Sequence, residues 1–107
     1  MSPRDLLAWL VGRRLRLRVA GDSMRPALKP GDFVFAKNKL DTGWMPRVGD
    51  IVVCRHPYQN RLLIKRVTRL VGERVVIEGD NPIESTDSRS FGPIPRSAIV
   101  GLVTARI

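Results

Sequence analysis

Turn-forming residues interrupt this chain at short intervals, and they constrain its fold more than any other feature. Eight Pro and nine Gly are spread over 107 residues rather than gathered in a linker. The segments between them are short, and in residues 14–19 Arg alternates strictly with Leu or Val, the period of a half-buried strand. About six such strands predict a mainly β fold, a small, strongly bent antiparallel sheet or partial barrel.

The N-terminal segment, residues 1–18, is expected to form a short helix and a basic arm. Its apolar run, residues 6–11, has six residues, far fewer than the ~20 needed to cross a bilayer. The pattern predicts a helix over residues 4–11 and no transmembrane segment, which leaves peripheral membrane contact open. Residues 1–20 carry five Arg and one Asp, so this arm could contact nucleic acid, an anionic membrane or an acidic protein.

The length of the chain favours one domain spanning residues 1–107. Cys54 is the single cysteine and lies in an apolar run, so we expect a buried thiol and no disulfide. With one His and one Cys the chain has too few of the usual ligands, so we expect no metal site and no cofactor. This cysteine usage fits a reducing compartment, and we expect a cytoplasmic location.

Ser23 is a candidate nucleophile because it follows Gly21 and Asp22 where a strand gives way to a helical turn. A serine at such a junction can turn its hydroxyl outward and its own N–H toward an oxyanion. Asp22 or Ser23 could equally cap the turn. His56, the only histidine, precedes a Pro and is interpreted as a loop residue, so a lysine is the alternative base.

Lys65 is the best candidate for that base. Alternation along residues 61–70 places it on one face with Leu63 and Val67, which would desolvate its amine. To act near neutrality its pKa has to fall from ~10.4 to about 7–8. Arg61 and Arg69 have the same parity, so a solvent-facing Lys65 remains open from the pattern alone.

The irregular stretch from residue 79 to residue 96 is the third feature. Loops of such length without secondary structure are uncommon in a compact chain and usually functional.

Three segments together resemble the conserved boxes of the signal peptidase I-like serine proteases. They are residues 21–28 (GDSMRPAL), residues 65–67 (KRV), and residues 79–81 (GDN) followed by residues 85–95 (STDSRSFGPIP). The order and spacing agree, and the resemblance spans residues 19 to 103.

The resemblance implies that Ser23 is the nucleophile, Lys65 its base and Ser85 the hydroxyl that orients the lysine amine. It also implies that the Ser23 backbone N–H donates to the oxyanion. Two ion pairs are implied near the site, and their members are Arg66 with Asp80 and Asp87 with Arg89.

Within that family, the compact form without a membrane anchor looks most like the maturation proteases of nickel-type superoxide dismutase. This implies a precursor protein as partner, from which an N-terminal propeptide is removed. A substrate groove is expected along Met24, Phe33 and Val34, where a peptide could add as a strand. Gly21 stands where some family members carry a Ser that donates to the oxyanion, so the source of a second donor is open.

Three alternatives differ from propeptide processing in the cytoplasm. The first is a leader peptidase of the signal peptidase I type, acting at a membrane surface. The second is the self-cleaving protease core of a LexA-like repressor, for which residues 1–22 leave no room for a DNA-binding domain. The third is a basic β-barrel that binds nucleic acid through its net charge of +9. The protease hypotheses expect no nucleic acid partner.

Overall fold

The computed structural model describes residues 6–11, 14–38 and 45–106. Their strands are β1 (Leu6–Val11), β2 (Arg14–Val19), β3 (Phe33–Asn38), β4 (Ile51–Arg55), β5 (Leu62–Val71), β6 (Arg74–Glu78), β7 (Ile94–Pro95) and β8 (Ile99–Arg106). All form one antiparallel sheet in the order β1-β2-β3-β8-β4-β5-β6-β7. The sheet is not closed into a barrel. The prediction of a mainly β, bent antiparallel sheet is confirmed.

Irregular pairing bends this sheet at three places. The register shifts between Phe35 and Ala36 on β3, between Val53 and Cys54 on β4, and between Val67 and Arg69 on β5. An extra residue in one strand of a pair increases the local twist and turns the following side chains. The shifts on β3 and β4 both lie against β8, so the centre of the sheet curves around that strand.

The predicted N-terminal helix is wrong for residues 6–11, which form strand β1. β1 pairs along its full length with β2, with Leu6 opposite Val19 and Val11 opposite Arg14. An isolated helix of two turns is marginal in water, whereas β2 offers a free backbone edge that a neighbouring segment can pair with. Residues 4 and 5 of the predicted helix lie outside the described residues.

Both faces of the central strands are buried. On β4, Val53 packs in one hydrophobic cluster with Leu17 of β2 and Ile64 of β5, while Val52 and Cys54 pack in a second cluster. The apolar run of β4 is therefore continuous because alternate side chains enter different clusters. Cys54 is fully buried, as the sequence predicts.

The stretch from residue 79 to residue 96 is short turns and not an unstructured loop. It contains a 3₁₀ turn at Pro82–Glu84, a four-residue helix α1 at Ser88–Phe91 and the edge strand β7. Asp87 caps α1 by accepting a hydrogen bond from the Arg89 backbone N–H. Another 3₁₀ turn at Arg96–Ala98 leads into β8.

Candidate active site

Ser23 lies in the connection between β2 and β3, which both ends hold in place. At the base of this connection the Val19 N–H donates to the Asp32 carbonyl, at 2.8 Å. Met24 and Leu28, which follow the serine, are buried in the first hydrophobic cluster. Gly21 precedes it with φ +99, a conformation that only glycine adopts readily. The turn therefore fixes the backbone of Ser23 while its side chain stays at the surface of a cleft.

Lys65 lies on β5 and is almost completely buried, with 2% of its surface exposed. Leu63 and Val67, on the same face, are buried to the same degree. The register shift after Val67 turns the strand, so Arg69 is exposed although it shares the parity of Lys65. The bulge therefore settles the choice between two faces that the alternation alone leaves open.

The Lys65 amine and the Ser23 hydroxyl are in hydrogen-bonding contact. Lys65 Nζ donates to Ser23 Oγ at 2.8 Å, across 42 residues of sequence. Both side chains line a polar cleft of about 110 Å³, together with Asp22, Leu63 and Thr86 among others. A hydroxyl and an amine at this distance, open on one side to a small cleft, fit the geometry of a nucleophile and its base in Ser/Lys acyl transfer.

Asn81 holds the peptide groups on both sides of Ser23. Its backbone N–H donates to the Ser23 carbonyl at 2.8 Å, and its side-chain amide donates to the Asp22 carbonyl at 3.2 Å. The 79–81 segment is thus tied directly to the Ser23 turn. Asn81 belongs to the Gly-Asp-Asn sequence that the resemblance singles out, but the pattern alone gives no role for it.

Gly79 allows this close approach because it has no side chain. A Cβ at this position would lie 2.3 Å from Ser85 Oγ and 2.6 Å from the Ser23 carbonyl oxygen. Neither distance is tolerable for real atoms, and the backbone oxygen cannot rotate away. The missing side chain of Gly79 therefore allows both Ser85 and the Ser23 backbone to pack directly against it.

We expect Gly79→Ala to destabilise the protein by about 3 kcal/mol, because the methyl group must push the Ser23 turn away. Gly72→Ala is the control: Gly72 has φ +58 and open space around it, so only its backbone conformation costs about 1 kcal/mol. Urea unfolding of both variants measures the difference. An equal loss in the two variants would contradict the close packing at Gly79.

Asp87 is the centre of a buried hydrogen-bond network next to this contact. Its carboxylate is fully buried and accepts hydrogen bonds from the Gly79 N–H at 2.7 Å, from the Ser85 hydroxyl, and from the guanidinium and backbone N–H of Arg89. Burial by itself raises the pKa of Asp87, but these hydrogen bonds outweigh it and lower the pKa to about 2. The carboxylate is therefore ionised at neutral pH.

The two ion pairs that the resemblance implies both occur in the structure. Arg66 binds Asp80 through two parallel hydrogen bonds of 2.8 Å and donates a third to the Gly49 carbonyl. Hydrogen bonding to Asp80 raises the pKa of Arg66. Arg89 binds Asp87 and also donates to the Gly79 carbonyl. The pairs clamp the 79–89 segment on β5 and on its own backbone.

Ser85 is expected to orient the lysine amine. It lies near the site, but its hydroxyl proton is donated to Asp87 and not to Lys65. The hydroxyl donates to Asp87 Oδ2 at 2.5 Å. Its oxygen lies against Gly79, whose other neighbour is the Ser23 carbonyl. Because the proton is committed to Asp87, the lone pairs of the Ser85 oxygen remain available as hydrogen-bond acceptors. The role of Ser85 toward Lys65 stays a prediction.

The expected substrate groove needs correction. Met24 and Val34 are buried in the hydrophobic core, with 1% and 0% of their surface exposed, so they present no side chain to a peptide. Phe33 is partly buried, and the guanidinium groups of Arg16 and Arg18 lie over its ring at 4.6 and 5.9 Å. The arginines of β2 that face away from the core thus stack on Phe33.

His56, interpreted as a loop residue, has a structural role in its loop. Its Nδ1 accepts hydrogen bonds from the backbone N–H groups of Tyr58 and Gln59, at 3.0 and 3.1 Å. The ring packs edge-on against Phe91 of α1 at 5.2 Å. Within the described residues no group of three or more His, Cys, Asp or Glu side chains could hold a metal ion.

The fold and the cleft with its Ser–Lys contact define a protein of the signal peptidase class. The family described as signal peptidase, peptidase S26, matches residues 11–81 of the chain, and the chain belongs to this family. Membership supports a serine peptidase, a hydrolase. In the part of the chain that the structure describes, no helix is long and apolar enough to span a bilayer.

Curated relatives are similar over most of the chain. Mitochondrial inner membrane protease subunit 1 of Homo sapiens is 33% identical, over 82% of this chain and 66% of that protein. Mitochondrial ATP-independent inner membrane protease subunit 1a of Arabidopsis thaliana is 33% identical, over 83% of this chain and 67% of that protein. Signal peptidase I of Buchnera aphidicola is 32% identical over a shorter stretch, 54% of this chain and 23% of that protein.

The chain covers just under two thirds of the human protein, 66% of its length.

These relatives change two expectations. The expectation of a cytoplasmic location is wrong, since relatives from Homo sapiens, Arabidopsis thaliana and Schizosaccharomyces pombe are named as mitochondrial inner membrane proteases. None of the matches is specific to the maturation of nickel superoxide dismutase, and they favour the signal-peptidase-like alternative.

Proposed function

We propose that this chain is a serine endopeptidase that removes N-terminal leader segments from precursor proteins at a membrane surface, with Ser23 as nucleophile and Lys65 as general base. The observation that carries the proposal is the 2.8 Å contact between the buried Lys65 amine and Ser23 Oγ in an open cleft. The membrane location follows the names of the inner membrane proteases to which the chain is similar.

The chemistry begins with the neutral form of Lys65. Burial removes most of the water that would stabilise an ammonium ion, and the Ser23 hydroxyl can donate to a neutral amine across the same 2.8 Å. Lys65 takes the hydroxyl proton while Ser23 Oγ attacks the scissile carbonyl carbon. Cleavage should consequently rise with pH as the amine loses its proton.

The tetrahedral intermediate then collapses to an acyl-enzyme. The proton held by Lys65 passes to the departing amine, which leaves with the C-terminal part of the substrate. We assign the oxyanion donor to the Ser23 backbone N–H, supported by the way Asn81 fixes the peptide groups around Ser23. Lys65 next takes a proton from water as the water oxygen attacks the acyl carbon, and it passes this proton to Ser23 Oγ as the ester bond breaks. The acid product leaves, and both side chains return to their starting state.

Ser85 is proposed to orient the Lys65 amine. Its hydroxyl proton is committed to the ionised Asp87, so its oxygen would accept a hydrogen bond from a neutral amine without competing for the proton that Ser23 gives up. The Asp87 network would thereby act through Ser85, as a positioning group and not as a group that touches substrate.

Ser23→Ala is expected to abolish cleavage, a loss of at least about 10³-fold in kcat/KM, because it removes the hydroxyl that contacts the Lys65 amine at 2.8 Å. The substrate is a mixed peptide library, with new termini mapped by mass spectrometry. Ser97→Ala, at an exposed serine in a 3₁₀ turn, is the matched control and should keep full activity. Equal cleavage by wild type and Ser23→Ala would refute the proposed nucleophile.

The narrower expectation, cleavage of a nickel superoxide dismutase precursor, rests on the sequence resemblance alone. Co-expression with that precursor, followed by mass analysis of its N-terminus, tests it against a leader-bearing membrane precursor. On the proposed function we expect the leader-bearing precursor to be processed, and the processing to need both Ser23 and Lys65.

A further inference from the structure

A second and larger cleft opens beside the candidate active site. Its volume is about 370 Å³, within the range of small-ligand sites. Arg61 belongs to the lining of both this cleft and the cleft that holds Ser23 and Lys65. A peptide bound at Ser23 can therefore pass along Arg61 into the larger space.

The lining of the larger cleft is rich in hydrogen-bond donors. Four of its lining residues, Arg55, Gln59, Asn60 and Arg61, have side chains that end in hydrogen-bond donors, and Leu62 and Val100 add apolar surface. Among the described residues that line it there is no carboxylate. In the smaller cleft the acidic lining residue, Asp22, is ion-paired with Arg25. Two neighbouring arginines with low acidic content make this end of the cleft attractive to anions.

The loop that supplies the amides is held in one shape. The His56 ring accepts hydrogen bonds from two backbone N–H groups of this loop. The backbone N–H of His56 donates to the Arg61 carbonyl at 3.0 Å. The ring of His56 rests against Phe91. A loop fixed in this way loses little conformational entropy when a ligand binds to it.

Spacing along the chain places this cleft at a defined distance from the scissile bond. Arg61 comes four residues before Lys65 in the sequence, immediately before β5. Four residues of extended chain cover about 13 Å. An extended substrate lying along β5 would therefore reach the larger cleft about three to five residues from the bond at Ser23.

We propose that the larger cleft binds an acidic side chain or short acidic segment of the substrate, held by Arg55 and Arg61 and by the amides of Gln59 and Asn60. The inference rests on the proposed peptidase function and adds a substrate preference to it. A guanidinium binds a carboxylate through two parallel hydrogen bonds, and the two arginines allow this at adjacent positions. The continuity with the Ser23 cleft through Arg61 favours a peptide over a nucleic acid.

The binding test uses the full chain carrying Ser23→Ala and a fluorescein-labelled hexaglutamate peptide, followed by fluorescence anisotropy. Arg55→Gln with Arg61→Gln should weaken binding at least about tenfold, because charge-assisted hydrogen bonds are lost. The matched control is Arg69→Gln with Arg74→Gln, which removes the same charge from exposed positions on the β5–β6 hairpin. That control should change the affinity less than about twofold.

Two results of the binding test would overturn the proposal. Equal weakening in both double variants would mean that the peptide senses only net charge. Equally tight binding of hexathymidylate, lost in the Arg55/Arg61 variant, would mean a general anion or nucleic acid site.

The cleavage test separates this inference from the proposed function. Paired peptides carry Glu or Gln three to five residues from the cleaved bond, on either side. Wild type should prefer the Glu peptide about tenfold in kcat/KM, mainly through KM, and the Arg55/Arg61 variant should cleave both equally well. Cleavage with no preference for Glu refutes the acidic subsite alone, whereas no cleavage of any peptide refutes the peptidase assignment and leaves the anisotropy result to be judged on its own.

Discussion

Replacing Lys65 with Met should reduce peptide cleavage at least about 10³-fold while the protein stays folded. Methionine has a similar length and no branches, so it fills the slot between Leu63 and Val67 without an amine that must be desolvated. We therefore expect the free energy of unfolding to be unchanged or higher. The measurements are kcat/KM on a peptide cleaved by wild type and urea unfolding of the same samples.

The matched control for this substitution is Arg69→Met, which also removes a cation from β5. Arg69 is exposed beyond the bulge. The Arg69→Met variant should therefore keep its activity, and its free energy of unfolding should stay within about 0.5 kcal/mol of wild type. Lys65→Arg gives the sharper test of the mechanism. A guanidinium does not lose its proton in this pH range, so appreciable cleavage by Lys65→Arg would rule out a neutral lysine as base.

The sequence predicted the strand that carries Lys65 better than it predicted which way that strand faces. Alternation grouped Lys65 with Leu63 and Val67, and equally with Arg61 and Arg69. The register shift after Val67 separates Arg69 from the face of Lys65, and a bulge depends on how β6 pairs with β5, a contact that no local pattern encodes. Arg61 comes before β5 and lines the same cleft as Lys65. The 2.8 Å approach of Ser23 depends likewise on the path of the chain between two residues that are 42 positions apart.

Two predicted features failed because tertiary contacts override local patterns. Residues 6–11 have no polar face that would distinguish a surface helix from a buried strand, and pairing with β2 decides the outcome. The predicted substrate groove includes Met24 and Val34 because they are apolar and lie near Ser23. Both are buried in the core, where they stabilise the fold around the Ser23 turn. The sequence shows which residue types stand at Asn81 and Gly79, but their roles follow only from the contacts that they make in the structure.

The buried carboxylate of Asp87 should contribute most to holding this site together, and Asp87→Asn is expected to destabilise the protein by about 3–5 kcal/mol. The substitution keeps the shape but removes the charge that Arg89 binds, and it brings an NH₂ group toward the donors Gly79 and Ser85. Cleavage should fall as well, because this network holds the 79–81 segment, from which Asn81 donates hydrogen bonds to the Ser23 turn. Asp50→Asn is the control: the Asp50 carboxylate accepts a hydrogen bond from the Arg47 N–H at an exposed site, and its replacement should cost about 1 kcal/mol.

The pH dependence of unfolding tests the same carboxylate without relying on catalysis. The folded protein lowers the pKa of Asp87 from 3.8 to about 2, so the unfolded chain binds the proton more tightly than the native state does. The stabilisation is therefore complete above about pH 4 and is lost as the pH falls from 4 toward 2, with a size of about 2 kcal/mol. Urea unfolding of wild type and Asp87→Asn across pH 2–7 should show a gap between the two curves that narrows by about 2 kcal/mol toward the acid end. Parallel curves over that whole range would mean that the charge of Asp87 is not what stabilises the loop.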